Sequence, residues 1–225
     1  MRPLLWSEPR GPIQAAAVLQ HGFARTPERL SGIAQLLADQ GVLVVRASIP
    51  SWTLRRSLHD VSFLQAVGEL VVGRLRERAP EAAILGIGHS AGAAVVAGWM
   101  QQGLDGIMLL DPVDRHRRIA GLVGMCAPES LRVITADPSS CNRHGAATRM
   151  LADAGLVSVD ETWRSIEGTA HPDPERIPAT LDPADVGPTD LVARWACGRA
   201  GDADAVCAWG VAIVEFLDGL LGEKA

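Results

Sequence analysis

The sequence predicts an α/β protein, a three-layer sandwich in which helices cover both faces of a mostly parallel sheet. Apolar runs of strand length alternate along the chain with longer segments of helical periodicity, the pattern of strands joined by crossover helices. The composition is that of a compact globular protein, since 48% of the 225 residues are hydrophobic, 21% are charged and the mean hydropathy is +0.14. We predict one domain over residues 1–225, a length that suits a single large core.

The predicted strands are apolar runs bounded by turn residues. They lie at residues 15–20, 42–47, 82–87, 106–110, 131–135 and 157–166. Helical periodicity predicts helices over residues 27–40, 60–78 and 93–102, with Asp60 as an N-cap and with Gly41 and Gly103 as stops. Two terminal helices are predicted, one from Leu191 onward and one over residues 203–221.

Charge and hydropathy argue against nucleic-acid binding and against a membrane-spanning segment. The net charge is −5, the isoelectric point is near 5.7 and no long basic stripe occurs, so nucleic acid is not an expected partner. No run of about 18 to 20 consecutive apolar residues occurs, so no membrane span is expected. Pro3, Glu8 and Pro9 interrupt the start of the chain before an export signal can develop, which predicts a soluble, cytoplasmic protein.

The four cysteines are too few and too scattered for a disulfide scaffold. They show no C-x-x-C spacing, so neither a zinc site nor a redox motif is predicted. Free buried thiols are the favoured interpretation. The even count leaves two pairings open, Cys126 with Cys141 or Cys197 with Cys207.

Residues 88–92, Gly-His-Ser-Ala-Gly, match the G-x-S-x-G pattern between a predicted strand and a predicted helix. A turn this tight strains the serine backbone, and a Cβ at Gly88 or Gly92 would strike the neighbouring strand or helix. The pattern predicts that Ser90 is a nucleophile at the carboxyl end of the sheet. The positive end of the following helix favours the anion that forms when the serine oxygen attacks a carbonyl.

His21-Gly22-Phe23 follows the first predicted strand, where such sheets supply a second main-chain N–H to an oxyanion. The predicted oxyanion donors are the N–H groups of Phe23 and Ala91. A plain strand-to-helix turn is the alternative interpretation, and the presence of Ser90 favours the oxyanion site.

A serine nucleophile needs a histidine that takes its proton. Of the six histidines, His171 follows the last predicted strand, as the chain order of nucleophile, acid and histidine requires. His144 comes earlier, in a loop, and is expected to be structural or to line the pocket.

The carboxylate that orients the histidine has two candidates. Asp111 ends one predicted strand and Asp137 ends the next, so both reach the same edge of the sheet, and position alone favours Asp137. Asp114 and Asp173 are weaker candidates, and Asp173 is expected to shape the loop of His171. The aspartate that is not the acid is expected to be a turn residue.

Two motifs, residues 88–92 and the Leu-Asp-Pro-Val-Asp of residues 110–114, carry a resemblance to a known family. The chain resembles small serine hydrolases of the α/β-hydrolase superfamily and is similar, within it, to the chlorophyllase-like branch. In that branch the aspartate that opens Asp-Pro-Val-Asp is the triad acid, which implies Asp111, with Asp137 as the alternative. Chlorophyllases usually carry Arg where this chain has Ala91, so chlorophyll is not the expected substrate.

Together the residues and the resemblance predict a serine hydrolase that cleaves small-molecule carboxylic esters through an acyl-enzyme, without a metal or an organic cofactor. Residues 115–130 are too few for a helical cap domain, which predicts an open site with Trp52, Phe23 and Met125 as candidate lining. The basic residues 115–118 are expected to form a solvated loop, with contact to a substrate anion as the alternative. The alternative functions are a thioesterase or acyltransferase on the same fold, and a binding protein without catalysis.

Overall fold

A computed structural model describes residues 4–49, 61–124, 130–159, 161–188, 197 and 200–222 of the chain. Seven strands form one sheet. In chain order they are β1 (Leu5–Ser7), β2 (Ala15–Gln20), β3 (Val42–Ala47), β4 (Ala83–His89), β5 (Gly106–Leu110), β6 (Leu131–Thr135) and β7 (Trp163–Ser165). Across the sheet the order is β1-β3-β2-β4-β5-β6-β7, with β1 antiparallel to β3 and every other pair parallel.

Helices cover both faces of this sheet. In the described part of the chain they are α1 (Ser31–Asp39), α2 (Val61–Arg78), α3 (Gly92–Gly98), α4 (Ile119–Val123), α5 (Ala146–Asp153) and α6 (Ala203–Gly222). One buried cluster joins α2, α3, α4 and α5 to the sheet, and a second joins α1 and α6 to it. The predicted three-layer architecture is therefore confirmed.

The central strand β2 shows why both faces are covered. All six of its residues are buried, and they alternate between the two clusters, with Ala16 and Val18 in one and Ala15, Ala17 and Leu19 in the other. A parallel strand that is buried on both sides reads as a continuous apolar run, which is why its bounds could be predicted from sequence.

The edges of the sheet differ from the prediction. The strand predicted over residues 157–166 is reduced to the three residues of β7, because the main-chain N–H groups of Thr162 and Trp163 both donate to the oxygen of Ser158 and turn the chain there. The antiparallel strand β1 was not predicted. Both edge strands are short, and short edges limit pairing with other chains.

Two predicted helices are shorter than their apolar periodicity indicates. The first is a 3-10 turn over Pro27–Leu30 followed by α1, and α3 ends at Gly98 before a 3-10 turn over Met100–Gln102. Gly103 ends that turn with a φ of 90°, in the left-handed conformation expected of a glycine stop. The predicted N-cap Asp60 and the helix predicted from Leu191 lie outside the described residues.

Helix α6 is long and apolar enough, by length and composition, to cross a membrane, the single described helix of which this is true. Half of its apolar stretch is buried inside the fold, where Trp209, Ile213 and Phe216 pack against the sheet. This is the packing of a core helix.

The cysteines are paired differently from both predicted alternatives. Cys141, in the loop after β6, forms a disulfide with Cys197 across 56 positions of sequence, so neither Cys126–Cys141 nor Cys197–Cys207 forms. The favoured interpretation of free thiols is wrong for this pair and correct for Cys207, which is free and buried. Folding brings two residues distant in sequence together, and sequence spacing carries no information about that contact. The predicted cytoplasmic location stays a prediction.

Candidate active site

Ser90 occupies a strained turn between β4 and α3. Its φ is 58°, in the left-handed region that residues with a side chain rarely adopt. The Ser90 N–H donates to the oxygen of Leu110 at 3.0 Å, and the Ser90 carbonyl accepts from the N–H of Val113 at 3.1 Å. These two bonds tie the turn to the end of β5, so the positions of the serine and of the residues after β5 are coupled.

Glycine sterics hold this turn together, as the sequence predicted. A Cβ at Gly88 would lie 2.5 Å from the oxygen of Gly92, and a Cβ at Gly92 would lie 2.4 Å from the oxygen of Gln20. A Cβ at Gly22 would lie 2.7 Å from the Cβ of Ser90. Such separations are impossible for carbon against main chain, so the loop after β2 packs directly against the serine turn only because these residues are glycines.

His171 bridges Ser90 and Asp111. Its Nε2 lies 2.7 Å from Ser90 Oγ, and its Nδ1 lies 2.5 Å from Asp111 Oδ2. A carboxylate can only accept, so Nδ1 carries the proton and donates it to Asp111, which leaves Nε2 free to accept from the serine hydroxyl. Asp111 is 1% exposed, so the pair is shielded from competing water.

The two candidate acids occupy different places. Asp111 directly follows β5, has a φ of 42° and donates its N–H to the oxygen of Ile134 at 2.7 Å, which turns its side chain to His171. The Asp137 carboxylate instead accepts from the N–H of Gly168 at 3.0 Å. The structure thus brings Asp111 to the histidine, and Asp137 holds the loop that leads to it.

Asp173 organises the loop of His171, as the sequence predicted. One oxygen of its buried carboxylate accepts from the N–H of Ala170 at 2.7 Å and from the N–H of Gly201 at 2.8 Å. The other oxygen pairs with Arg176 Nη1 at 2.8 Å, and that nitrogen also donates to the oxygen of Gly201 at 2.9 Å. A buried charge is tolerated there because it is paired and hydrogen-bonded on both oxygens.

His89, which precedes Ser90, forms a hydrogen bond with the main chain of His171. Burial, with a smaller contribution from the neighbouring His171, lowers the pKa of His89 well below its ordinary value of 6.5. The ring is therefore neutral, and its Nε2 donates to the main-chain oxygen of His171 at 2.8 Å. Glu175 lies 3.6 Å from the other ring nitrogen, but a neutral ring cannot form an ion pair with it. Glu175 instead pairs with Arg25 at 3.1 Å.

The predicted oxyanion donors lie beside the serine. Ala91 immediately follows Ser90, and Phe23 follows Gly22, whose main chain touches the serine side chain. Among the residues that the structure describes, no hydrogen bond uses the main-chain N–H of Phe23 or Ala91. The Phe23 side chain is 53% exposed, so it is on the rim rather than in the core.

Asn142 contacts Asp111 at this site and was not predicted from the sequence. Asn142 is 1% exposed, and its Nδ2 donates to both carboxylate oxygens of Asp111, at 3.1 Å and 3.2 Å. The available signal was modest. Asn142 is the chain's only asparagine, and it stands in the loop after a predicted strand whose carboxyl end faces the site.

A small cavity, open to solvent, lies beside Val113, whose N–H donates to the Ser90 carbonyl. Its lining includes the apolar residues Leu64, Ala94 and Leu122 together with Arg118. Arg115, His116 and Arg117 are exposed, in keeping with the predicted solvated loop. The other predicted lining residues, Trp52 and Met125, lie outside the described residues.

No group of three or more His, Cys, Asp or Glu side chains in the described part of the chain is arranged to hold a metal ion.

Comparison with known proteins identifies the fold. No protein-family model matches the chain, and no curated protein matches it. Among solved structures, the esterase domain of a Rhodothermus marinus protein aligns with 94% of this chain and 89% of its own, at a TM-score of 0.60 and 14% identity. Thermogutta terrifontis esterase 2, phosphonylated by sarin, aligns with 96% of this chain and 88% of its own, at a TM-score of 0.59 and 15% identity. The same esterase with butyrate bound aligns with 95% of this chain and 87% of its own, at a TM-score of 0.55 and 16% identity.

These likenesses, at low identity, establish the α/β-hydrolase fold. The predicted superfamily fold is thus confirmed. The narrower similarity to the chlorophyllase-like branch stays a prediction.

Proposed function

We propose that the protein is a serine hydrolase that cleaves carboxylic esters by two-step acyl transfer to water. The observation that carries the proposal is the unbroken contact from Ser90 Oγ through His171 to the buried carboxylate of Asp111, at 2.7 Å and 2.5 Å. This geometry is the requirement for activating a serine hydroxyl. The esterases that share the fold support the choice of ester substrates.

In the first step Ser90 Oγ attacks the ester carbonyl carbon while His171 Nε2 takes the hydroxyl proton. The C=O electron pair moves onto the carbonyl oxygen and forms a tetrahedral oxyanion. Asp111 accepts from Nδ1 throughout, which holds the ring in the working tautomer and stabilises the imidazolium. The main-chain N–H groups of Phe23 and Ala91 donate to the oxyanion.

Collapse of this intermediate breaks the bond to the alcohol oxygen, and His171 gives its proton to the leaving alkoxide. Ser90 is left acylated. Water then attacks the acyl carbon as His171 takes a water proton, and the second collapse returns that proton to Ser90 and releases the carboxylic acid. No redox change and no co-reactant besides water are required.

The cavity at Val113 supports a role in receiving one side of the ester. Its apolar residues favour a hydrocarbon group, and Arg115, His116 and Arg118 on the same lining could contact an anionic one. A series of p-nitrophenyl esters of increasing acyl length measures that preference directly.

The test is labelling by a fluorophosphonate probe, with the adduct located by peptide mass spectrometry. We expect the adduct on Ser90, turnover of p-nitrophenyl esters, and loss of about 10⁴-fold or more in kcat for Ser90→Ala. The matched control is Ser165→Ala, an exposed serine on β7 that should behave as the native protein. Absence of both labelling and turnover in the native protein overturns the proposal. Product analysis in water with added alcohol separates hydrolysis from acyl transfer.

A further inference from the structure

The carboxylate of Asp111 is held by Asn142 as well as by His171. Asn142 Nδ2 reaches Asp111 Oδ1 at 3.1 Å and Oδ2 at 3.2 Å, and it also donates to the main-chain oxygen of Asp137 at 2.9 Å. The only other described donor to Oδ1 is the N–H of Ala136 at 3.2 Å. Asn142 is thus the side chain that straddles both oxygens of the carboxylate.

The direction in which the Asn142 amide faces is determined by its own loop. Its Oδ1 accepts from the N–H of Ser139 at 2.8 Å and from the N–H of Gly145 at 3.1 Å. A flipped amide would set its NH₂ group against these two donors and its oxygen against the Asp111 carboxylate. Only one orientation satisfies all the partners, and that orientation presents Nδ2 to Asp111.

The loop that carries Asn142 is also anchored covalently. Cys141, the preceding residue, is bonded to Cys197. Four residues after Cys197, Gly201 donates its N–H to Asp173 at 2.8 Å, and Asp173 holds Ala170 beside His171. The disulfide therefore joins the loop that supports Asp111 to the segment that supports the histidine.

We propose that Asn142 is a positioning residue for the Asp111–His171 pair. Its amide fixes the plane of the Asp111 carboxylate so that Oδ2 faces His171 Nδ1. Without it, Oδ1 keeps one main-chain bond and the carboxylate can rotate about its Cβ–Cγ bond, which turns Oδ2 away from the imidazole. The inference rests on the proposed function, because its measurable consequence is the rate of serine acylation.

The sharpest variant is Asn142→Asp, which has the same shape. It keeps an oxygen for the N–H groups of Ser139 and Gly145, but it replaces the donor that faces Asp111 with a carboxyl oxygen. We expect kcat and the rate of fluorophosphonate labelling to fall by about 10- to 100-fold at neutral pH, since small misplacements of catalytic groups cost about that much. KM should change less than about 2-fold, because Asn142 does not touch substrate.

A pH profile separates positioning from a purely structural role. When the introduced carboxyl of Asn142→Asp is protonated it can donate again, so the activity of the variant relative to the native protein at the same pH should rise as the pH falls. The matched control is His144→Asn in the same loop, which should keep native kcat at every pH because the structure places His144 exposed and outside the cavity lining, against the expectation that it lines the pocket.

Asn142→Ala keeps the test decisive if the Asp variant does not fold. It removes the donor and the acceptor without adding a charge, and kcat is measured well below its melting temperature. A fall in kcat at unchanged KM supports the inference. Native kcat in a folded Ala or Asp variant overturns it, even where the melting temperature drops. If the native protein neither labels nor turns over esters, the proposed function itself has failed, which is a different result.

Discussion

The two halves of the candidate site are built by different means. The serine turn is held by main chain packed against main chain, where Cβ atoms at Gly88 and Gly92 would come within 2.4–2.5 Å of a backbone oxygen. The His171 half is held by buried polar side chains, chiefly Asn142 and Asp173, and by a disulfide.

The two halves are therefore vulnerable to different changes. Steric packing between adjacent elements is insensitive to pH, salt and redox conditions, and it fails as a whole when one atom is added. A network of hydrogen bonds and charges can be weakened one partner at a time. We therefore expect abrupt losses from changes in the serine turn and graded losses from changes in the side chains that support Asp111 and His171. Substitutions in the two halves test this contrast through their effects on kcat and stability.

The largest effect is expected for the acid itself. Asp111→Asn should lower kcat by about 10⁴-fold, because an amide facing Nδ1 stabilises the wrong tautomer of His171. Asp137→Asn keeps an oxygen for the N–H of Gly168 and should change kcat by less than about 3-fold. Ester turnover of the two purified variants measures the contrast. A larger loss in Asp137→Asn than in Asp111→Asn would reverse the assignment of the acid.

Gly92→Ala tests the steric half. The added methyl would lie 2.4 Å from the oxygen of Gln20, so the turn and β2 must separate, and we expect a loss of about 10²-fold or more in kcat with about 1–3 kcal/mol of destabilisation. Gly73→Ala in α2 is the control, since no atom lies within 4 Å of its added methyl. Urea unfolding and ester turnover give both quantities. Equal behaviour of the two variants would contradict the steric account.

Asp173→Asn tests the polar half. If the amide oxygen of the variant keeps the N–H groups of Ala170 and Gly201, its NH₂ group faces Arg176 in place of the buried carboxylate, so we expect about 3 kcal/mol of destabilisation and roughly a 10-fold fall in kcat. The exposed Asp182→Asn, which keeps an oxygen for the N–H of Ala184, serves as control. Unchanged stability of Asp173→Asn would show that the loop of His171 does not depend on this network.

Reduction of the disulfide should have a smaller effect on the rate. Treatment with dithiothreitol, or Cys197→Ser, is expected to lower kcat by about 3-fold and the free energy of unfolding by about 2–4 kcal/mol, because it releases the loop of Asn142. Cys207→Ala should respond to dithiothreitol as the native protein does, since burial raises the pKa of that free thiol and keeps it out of exchange. Reduced protein with native activity would show that folding, not the covalent bond, positions the loop.

The smallest effect is a pH dependence of stability that arises from His89. Its pKa is lowered in the folded state, so below its ordinary value of 6.5 the unfolded chain binds a proton that the folded chain does not, and stability falls as the pH drops below about 6.5. His89→Gln keeps an amide that can donate to the oxygen of His171 and should flatten this slope in urea titrations between pH 7 and 5. An unaltered slope would assign the effect to other groups, of which His21 is one, because burial lowers its pKa too.

Local features of the chain made most of the fold predictable. The strands β2, β3, β5 and β6 agree with the predicted bounds because strands buried on both faces have continuous apolar sequences. The edge strands β1 and β7 escaped prediction, since three residues carry too little pattern and depend on the neighbour with which they pair. The serine turn was predictable because its glycines and its serine lie within five consecutive residues.

By itself the sequence determined the class of fold and the serine turn, because each of these is encoded by neighbours in the chain. Tertiary structure alone decided among the alternatives. Asp111 and Asp137 end adjacent parallel strands and are equivalent in pattern, so only the direction of the main chain after each strand brings one of them to His171. The Cys141–Cys197 bond and the support of Asp111 by Asn142 likewise join segments far apart in sequence, and contacts of that kind are created by the packing of whole elements.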